Sequence, residues 1–234
     1  SLATYTPNIN YNGDDSFSFS VSDGEYSSSA DISLIVSAVN DAPVLASVSD
    51  VSFNEDGSGS TSLSADDVDG DSLEFSISGG DQITASLSGS DVTFGAPADY
   101  NGNESFTVSV RDGEYTDSQS ITVTIDAVND APVVDAIADQ VIDEDGSLTL
   151  VLSASDVDGD ALTFSASADN ATATVDGSTL TVSPDADFNG SLAVTVTADD
   201  GELEGSSSFT LAVNAVNDTP VVDAIDSQTV AEDT

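Results

Sequence analysis

The sequence predicts an all-β protein built from tandem antiparallel two-sheet sandwiches, each with about seven short strands. Apolar residues alternate with Ser and Thr along short segments, which is the period of a strand with one buried face. Asp-Gly and Asn-Gly pairs separate these segments, and no stretch has the periodicity of an amphipathic helix. Hydrophobic residues make up 38% of the chain, so a core can form despite the many acids.

The predicted strands are clearest in the second half of the chain. A tight hairpin is predicted at Asp176-Gly177, because this dipeptide separates two alternating segments by a short turn. The alternating segments between the turns predict strands over residues 148–152, 162–166, 171–175, 179–182, 192–197 and 209–213.

The chain contains an internal repeat, because its landmarks return after steps of 89 and 88 residues. An Asn-Asp-x-Pro segment begins at Asn40, Asn129 and Asn217, and an Asp-Val-Asp-Gly-Asp segment begins at Asp67 and Asp156. Three further motifs keep the same register: an aromatic residue before Asn-Gly at positions 11, 100 and 188, Asp-Gly-Glu at 23, 112 and 200, and Glu-Asp-Gly at 55 and 144.

The register of these motifs predicts four segments. Residues 1–43 are the C-terminal half of a repeat, residues 44–131 and 132–219 are complete repeats, and residues 220–234, with Glu232-Asp233, start a further repeat. Pro43, Pro132 and Pro220 lie at the boundaries, where they restrict the backbone. Because the chain has no initiating Met and no recognisable signal peptide, we expect a fragment or a processed product, and the incomplete repeats predict that it is cut from a longer array.

The charge and the missing residue types exclude several functions. The chain has 44 acids and one base, Arg111, for a net charge of -43. Binding to nucleic acid or to an anionic membrane surface needs Lys and Arg, and no apolar run approaches the length of a membrane span. Without His, Cys or Lys the chain lacks the usual bases and activated nucleophiles, so we expect no enzyme activity. Without Cys it cannot use disulfides, which makes a metal the expected stabilising element.

The Asp and Asn residues cluster at turns and boundaries, as calcium ligands do. Calcium takes six to eight oxygen ligands in irregular geometry, and Asp-x-Asp-Gly-Asp offers three carboxylates within one short loop. An EF-hand does not fit, since Gly70 falls at loop position 4 and Ser78 occupies position 12. The ligands must therefore converge from separate segments. An alternative explanation for part of the Asp excess is a solvated acidic surface suited to salty surroundings.

The acidic motifs, taken in order, resemble the cadherin-like tandem repeats of giant bacterial surface and secreted adhesins of the RTX type. Residues 128–132 (Val-Asn-Asp-Ala-Pro) resemble the cadherin inter-domain linker. Residues 154–158, followed by Leu-Thr-Phe at 162–164, resemble the cadherin Asp-x-Asp motif and its strand, and residues 196–201 resemble the acidic motif of the penultimate strand. The resemblance implies seven-stranded cadherin/Ig-like Greek-key sandwiches with several Ca²⁺ ions at each junction between repeats.

The resemblance also implies which residues bind these ions. An upstream repeat gives a Glu and a mid-domain acid, the linker gives Asn and Asp, and the downstream repeat gives the Asp-x-Asp pair and a later Asp. The implied ligands of the central junction are Glu55, Asp99, Asn129, Asp130, Asp156, Asp158 and Asp200. Those of the preceding junction are Asn40, Asp41, Asp67, Asp69 and Asp112, and those of the following junction are Glu144, Asp187, Asn217 and Asp218.

The resulting functional hypothesis is a calcium-rigidified extracellular spacer, secreted or attached to the cell surface, in a large adhesin or surface fibre protein. The expected partners are Ca²⁺ and the neighbouring repeats of the same chain. An alternative hypothesis is that the repeats themselves bind polysaccharide or other copies of the chain, in a biofilm matrix or an extracellular filament. The absence of Trp argues against the strand-swapped adhesion of animal cadherins.

Overall fold

The structure is a computed structural model that describes residues 2–230 and 232. The chain forms two compact units, of which the first ends at Val128 and the second begins at Asn129. The all-β prediction is confirmed, since the described residues form strands joined by turns and loops. Those residues include no helix with the length and apolarity needed to span a bilayer.

Residues 2–128 of the first unit form eleven strands. They are β1 (Gly13–Ser22), β2 (Ser27–Val36), β3 (Val44–Leu45), β4 (Val51–Asn54), β5 (Gly59–Ser62), β6 (Ala65–Asp66), β7 (Glu74–Gly79), β8 (Thr84–Ser88), β9 (Asp91–Gly95), β10 (Gly102–Arg111) and β11 (Thr116–Asp126). The strands of the second unit are β12 (Val133–Val134), β13 (Gln140–Asp143), β14 (Leu148–Val151), β15 (Ala154–Ser155), β16 (Thr163–Ala168), β17 (Ala171–Asp176), β18 (Thr179–Pro184), β19 (Gly190–Asp199) and β20 (Glu204–Asn214).

The second unit is a sandwich of a four-stranded and a three-stranded sheet. The sheet orders are β13-β20-β19-β16 and β14-β18-β17, and the short strands β12 and β15 pair with each other. The first unit repeats this arrangement as β4-β11-β10-β7, β5-β9-β8 and β3-β6, beside the separate hairpin β1-β2. The predicted Asp176-Gly177 hairpin joins β17 to β18, with Asp176 opposite Thr179 and a φ of 60° at Gly177.

One pairing in each sandwich is parallel, which differs from a wholly antiparallel arrangement. β13 runs parallel to β20, and β4 runs parallel to β11. The paired strands open and close one repeat, so no tight turn fixes their relative direction. Alternation of residue types reveals the buried face of a strand but not its direction.

The alternating apolar residues form the core of each sandwich. In the second unit, Val194 and Val196 of β19 pack with Leu211 of β20 and Leu180 of β18, and all four are fully buried. Burying each such side chain contributes about 1.5–3 kcal/mol. The core of the first unit includes an edge-to-face pair, Phe94 and Phe106, with ring centroids 5.2 Å apart.

The β1-β2 hairpin has the apolar pattern of a core face but exposes it. Phe19 and Val21 are 52% and 67% exposed, whereas Val108 and Val110, one repeat later in the sequence, are both 0% exposed. Among the residues that the structure describes, β1 and β2 pair only with each other. The hairpin therefore has the sequence of a buried sheet without a second sheet to cover it.

Candidate metal centres

Each complete repeat has an acidic loop that folds around its own first carboxylate. In the second unit this loop joins β15 to β16, and carboxylate oxygens of Asp156, Asp158 and Asp160 lie within 4.8 Å of one another. Oδ1 of Asp156 accepts hydrogen bonds from the N–H groups of Gly159 (3.0 Å) and Asp160 (3.2 Å). The left-handed φ of 82° at Gly159 permits this tight turn.

The first unit has the same loop between β6 and β7. Oxygens of Asp67, Asp69 and Asp71 lie within 4.8 Å of one another. Oδ1 of Asp67 accepts hydrogen bonds from the N–H groups of Asp69 (2.9 Å), Gly70 (3.0 Å) and Asp71 (3.2 Å). The two loops therefore share the bonds from the Gly and the third Asp, as their common sequence predicts, and the first loop adds a bond from its second Asp.

The remaining oxygen of the first Asp in each loop identifies the chemistry that the loop fits. Oδ2 of Asp67 and Oδ2 of Asp156 are buried, and no described residue donates a hydrogen bond to either atom. A buried anionic oxygen without a donor is costly, by about 1–3 kcal/mol or more. A hard divalent cation coordinates such an oxygen, and Ca²⁺ accepts the carboxylate oxygens that the loops offer. The residues present therefore fit a calcium site.

The linker at the start of the second unit is hydrogen-bonded to two of its acids. The Asn129 side-chain amide donates to Oδ2 of Asp200 (3.0 Å), and the Asp130 N–H donates to Oδ2 of Asp158 (2.8 Å). Backbone N–H groups of Leu203 and Glu202 lower the pKa of Asp200, because they stabilise its carboxylate. The linker thus meets the acidic loop and the β19-β20 turn within one unit.

The first unit holds its linker in the same way. The Asn40 amide donates to Oδ2 of Asp112 (2.9 Å), and the Asp41 N–H donates to Oδ2 of Asp69 (2.7 Å). The structure therefore brings together the five residues implied for this junction, counting Asp67 of the same loop.

The second unit has a second acidic cluster, which includes Asp218 from the segment that follows β20. Carboxylate oxygens of Asp145, Asp187 and Asp218 lie within 4.8 Å of one another. Desolvation raises the pKa of Asp218, and the negative charges of Asp187, Asp145 and Glu144 raise it further. The second unit has no Lys, Arg or His in its sequence, so none of its own side chains is a cation that could relieve this repulsion.

A buried glutamate fixes the chain beside this cluster. Glu144 is only 7% exposed, and its Oε1 accepts a hydrogen bond from the Val216 N–H (2.5 Å). Its Oε2 accepts a hydrogen bond from the Asn189 amide (3.3 Å), while the Asn217 amide donates to the Asp218 carbonyl (3.1 Å).

The first unit contains the equivalents of Glu144, Asp145 and Asp187. Glu55 is 6% exposed, and its Oε1 accepts a hydrogen bond from the Val128 N–H (2.6 Å). The Asp99 N–H donates to Oδ1 of Asp56 (3.3 Å). The ligand set implied for the central junction is divided between the units: Glu55 and Asp99 lie in the first, and its other five residues lie in the second.

The acids of the second cluster and their equivalents in the first unit include four residues with a left-handed backbone. The φ angles are 60° at Asp56, 57° at Asp99, 62° at Asp145 and 60° at Asp187. Asp tolerates this region better than most residues but still at a cost, and such strain concentrates at functional sites.

Four acids belong to these clusters but were not among the ligands implied by the resemblance. They are Asp56, Asp71, Asp145 and Asp160. The internal repeat could have identified them, because Glu-Asp-Gly and Asp-Val-Asp-Gly-Asp both recur in register. The family motif transfers only the Glu of the first segment and the first two acids of the second.

Together, the fold and the acidic loops define a class of protein, the tandem β-sandwich repeats of the Ig and cadherin type. Residues 40–124 and 129–214 match the family model of the bacterial Ig domain, and residues 1–37 match that of a cadherin-like domain. The bacterial Ig matches cover more than half of the chain, so the chain belongs to the bacterial Ig domain family. The resemblance to bacterial cadherin-like repeats is thereby confirmed.

The chain is similar to parts of several solved structures, and the first of these supports the fold. Human protocadherin-24 EC1-2 (Form II) is 18% identical with a TM-score of 0.51, over 75% of this chain and 100% of that chain. Drosophila N-cadherin EC1-4 is 13% identical over 89% of this chain and 60% of that chain, with a TM-score of 0.37. The endo-fucoidan hydrolase MfFcnA4 from glycoside hydrolase family 107 is 21% identical with a TM-score of 0.34 over 91% of this chain, which spans only 35% of that enzyme. No curated protein matches the chain.

The family places the chain among surface or adhesion-type repeats. Bacterial Ig and cadherin-like domains are typically extracellular or exposed at the cell surface, and they are typically not enzymes. Cadherin-like domains generally bind calcium, and this chain has acidic clusters of suitable composition.

Proposed function

We propose that the chain is a calcium-rigidified extracellular spacer in a large surface or secreted adhesin. In this proposal, Ca²⁺ ions bind between consecutive repeats through the Glu, Asn and Asp residues that the cadherin resemblance implies, extended by Asp56, Asp71, Asp145 and Asp160. The repeats span 44–131 and 132–219, between a partial repeat at 1–43 and the start of another at 220–234. Asp233, in that last segment, lies outside the described residues.

The position of the linker Asp is the observation that supports the proposal best. Asp130 donates its N–H to Asp158 of the repeat that follows it. Asp218 holds the same position one repeat later, and its carboxylate clusters with Asp145 and Asp187 of the repeat that precedes it. If the repeats are equivalent, each linker Asp contributes to an acidic group of the repeat before it and to an acidic group of the repeat after it. A cation bound there would restrict the angle between the two repeats.

Electrostatics supply the driving force for binding. Two like charges 4 Å apart repel by about 1 kcal/mol in water and about 4 kcal/mol at an effective dielectric constant of 20. Desolvation is the main cause of the raised pKa of Asp218, and the negative charges of Asp187, Asp145 and Glu144 add to it by such repulsion. A divalent ion converts this repulsion into attraction. An ion at one hundred times its Kd also adds about 2.7 kcal/mol of stability per site, when it binds only the folded state.

The exposed face of β1-β2 supports the proposed boundaries. Phe19 and Val21 repeat the pattern of Val108 and Val110, which are fully buried, and Val108 packs in the core of its own sandwich. A preceding segment with the sequence pattern of residues 44–99 would supply the missing sheet and complete a repeat.

The proposal is tested by small-angle scattering and calorimetry of the whole chain with calcium and with chelator. We expect chelation to reduce the maximum dimension and to lower the Tm. Asp156→Asn with Asp158→Asn should remove most of the calcium-dependent gain in Tm. Asp176→Asn, a change at an exposed hairpin acid outside the clusters, should not.

An unchanged maximum dimension and Tm after chelation would refute calcium stiffening. A calcium-dependent increase in the scattering mass would instead indicate association between copies. Binding in a glycan array would indicate recognition of polysaccharide.

A further inference from the structure

One strand position lies so close to the linker that it has no room for a side chain. Gly205 is the second residue of β20, shortly after the turn that contains Asp200. A Cβ atom built on Gly205 would lie 1.6 Å from the carbonyl oxygen of Pro132 and 2.8 Å from its carbonyl carbon. The obstacle is backbone rather than a flexible side chain, so only glycine fits while Pro132 keeps its position.

Pro132 is the last linker residue before β12, and the linker hydrogen bonds lie directly before it. Asn129 donates to Asp200 and Asp130 donates to Asp158 within the three residues that precede Pro132. Beyond Pro132, β12 pairs with β15. A displacement of Pro132 would therefore be transmitted to Asn129 and Asp130 over a very short stretch of chain.

The preceding repeat holds its linker from the equivalent strand position by a different interaction. Asp117 of β11 occupies the position of Gly205, and its Oδ2 accepts a hydrogen bond from the Leu45 N–H (2.9 Å). Leu45 belongs to β3, the equivalent of β12. The same point on the strand thus contacts the chain at the end of the linker (Pro132) in one unit, through direct backbone approach, and just after the linker (Leu45) in the other, through a carboxylate.

We propose that the strand position occupied by Gly205 in one repeat and by Asp117 in the other positions the linker acids for divalent cation binding. Neither residue needs to touch the ion. The position acts through the backbone, which sets Asp130 against Asp158 and Asp41 against Asp69. This inference rests on the proposed function for the identity of the ligand, but its structural part does not require calcium.

The first test uses Gly205→Ala in the whole chain, with Ser206→Ala at the exposed neighbouring position as the control. Amide hydrogen exchange of Asp130 is measured in chelator, and Ca²⁺ affinity is measured by titration calorimetry. We expect Gly205→Ala to speed exchange of the Asp130 amide and to weaken calcium binding at one class of sites about 10-fold, the usual scale for residues that orient ligands. Ser206→Ala should change neither.

The second test avoids adding bulk, in case Gly205→Ala does not fold. Asp117→Ala removes the acceptor of the Leu45 N–H, whereas Asp117→Asn keeps an acceptor oxygen and removes only the charge. We expect faster exchange of the Asp41 amide in Asp117→Ala and native-like exchange in Asp117→Asn.

Unchanged Asp41 exchange in Asp117→Ala would overturn the inference, and so would unchanged Asp130 exchange in folded Gly205→Ala. If the native chain binds no calcium, the proposed function fails, and the exchange measurements in chelator still decide whether this position holds the linker.

Discussion

The hydrogen bond from the linker to the buried Glu144 predicts how much faster the linker amide should exchange when the carboxylate is removed. Glu144→Ala removes the acceptor of the Val216 N–H, a short hydrogen bond to a carboxylate that is 7% exposed. Hydrogen bonds to charged groups contribute about 1.5–3 kcal/mol. At about 1.4 kcal/mol for each factor of ten, their loss should speed exchange of the Val216 amide by about 10- to 150-fold. The core strands should be protected as before, since the lost bond lies beyond β20.

The assay is amide hydrogen exchange by NMR in chelator, so that calcium binding does not contribute. Glu144→Gln keeps an oxygen acceptor in the same place and should lose only about 1 kcal/mol, because a neutral acceptor is weaker than a carboxylate. Glu204→Ala removes an exposed acid at the start of β20 and serves as the control for charge alone. If Val216 exchanges at the native rate in Glu144→Ala, the claim that this carboxylate holds the linker is wrong.

Three further changes test other parts of the structure. Glu104 accepts hydrogen bonds from the N–H groups of Gln82, Asp81 and Ile83, and the bonds from Gln82 and Asp81 contribute most to lowering its pKa. Its stabilisation should therefore be complete above the ordinary carboxyl pKa and be lost as pH falls through the lowered value. The Tm deficit of Glu104→Ala should be full near about pH 6 and shrink towards about pH 3 in thermal scans, and a constant deficit would contradict this. Phe106→Ala should lower the free energy of unfolding, measured by urea denaturation, by about 3–5 kcal/mol. Phe19→Ala, on the exposed face of β1-β2, should lower it far less. Equal losses would contradict the assigned core. Gly80→Ala should destabilise the first unit in the same assay, because its φ is 79° and a Cβ would lie 2.3 Å from the Ile83 carbonyl oxygen; native stability would contradict the backbone there.

Sequence patterns predicted the strands where alternation is long and missed them where it is short. All six segments predicted in the second half of the chain became strands, from β14 to β20. The two-residue strands β12 and β15 were missed, because two residues show no periodicity. β13 was missed as well, because its only apolar residues, Val141 and Ile142, are adjacent and do not alternate.

The sequence predicted some acids of the candidate site and not others. Asp67, Asp69 and their equivalents stand in a recurring motif, and local backbone geometry alone brings them together. Asp145 and Asp187 are far apart in the sequence, so only the fold could show that their carboxylates cluster with Asp218. The contact of Asn129 with Asp200 likewise depends on how β19 and β20 return to the linker.

The sequence by itself determined the all-β class, the repeat length and the acidic loops. These properties follow from local periodicity and recurrence, which do not depend on distant contacts. Only the tertiary structure decided the parallel pairing of β13 with β20, the burial of Glu144 and the approach of Pro132 to Gly205. Each of these depends on segments about 70 residues apart along the chain, and a residue pattern holds no information about which distant backbone will face it.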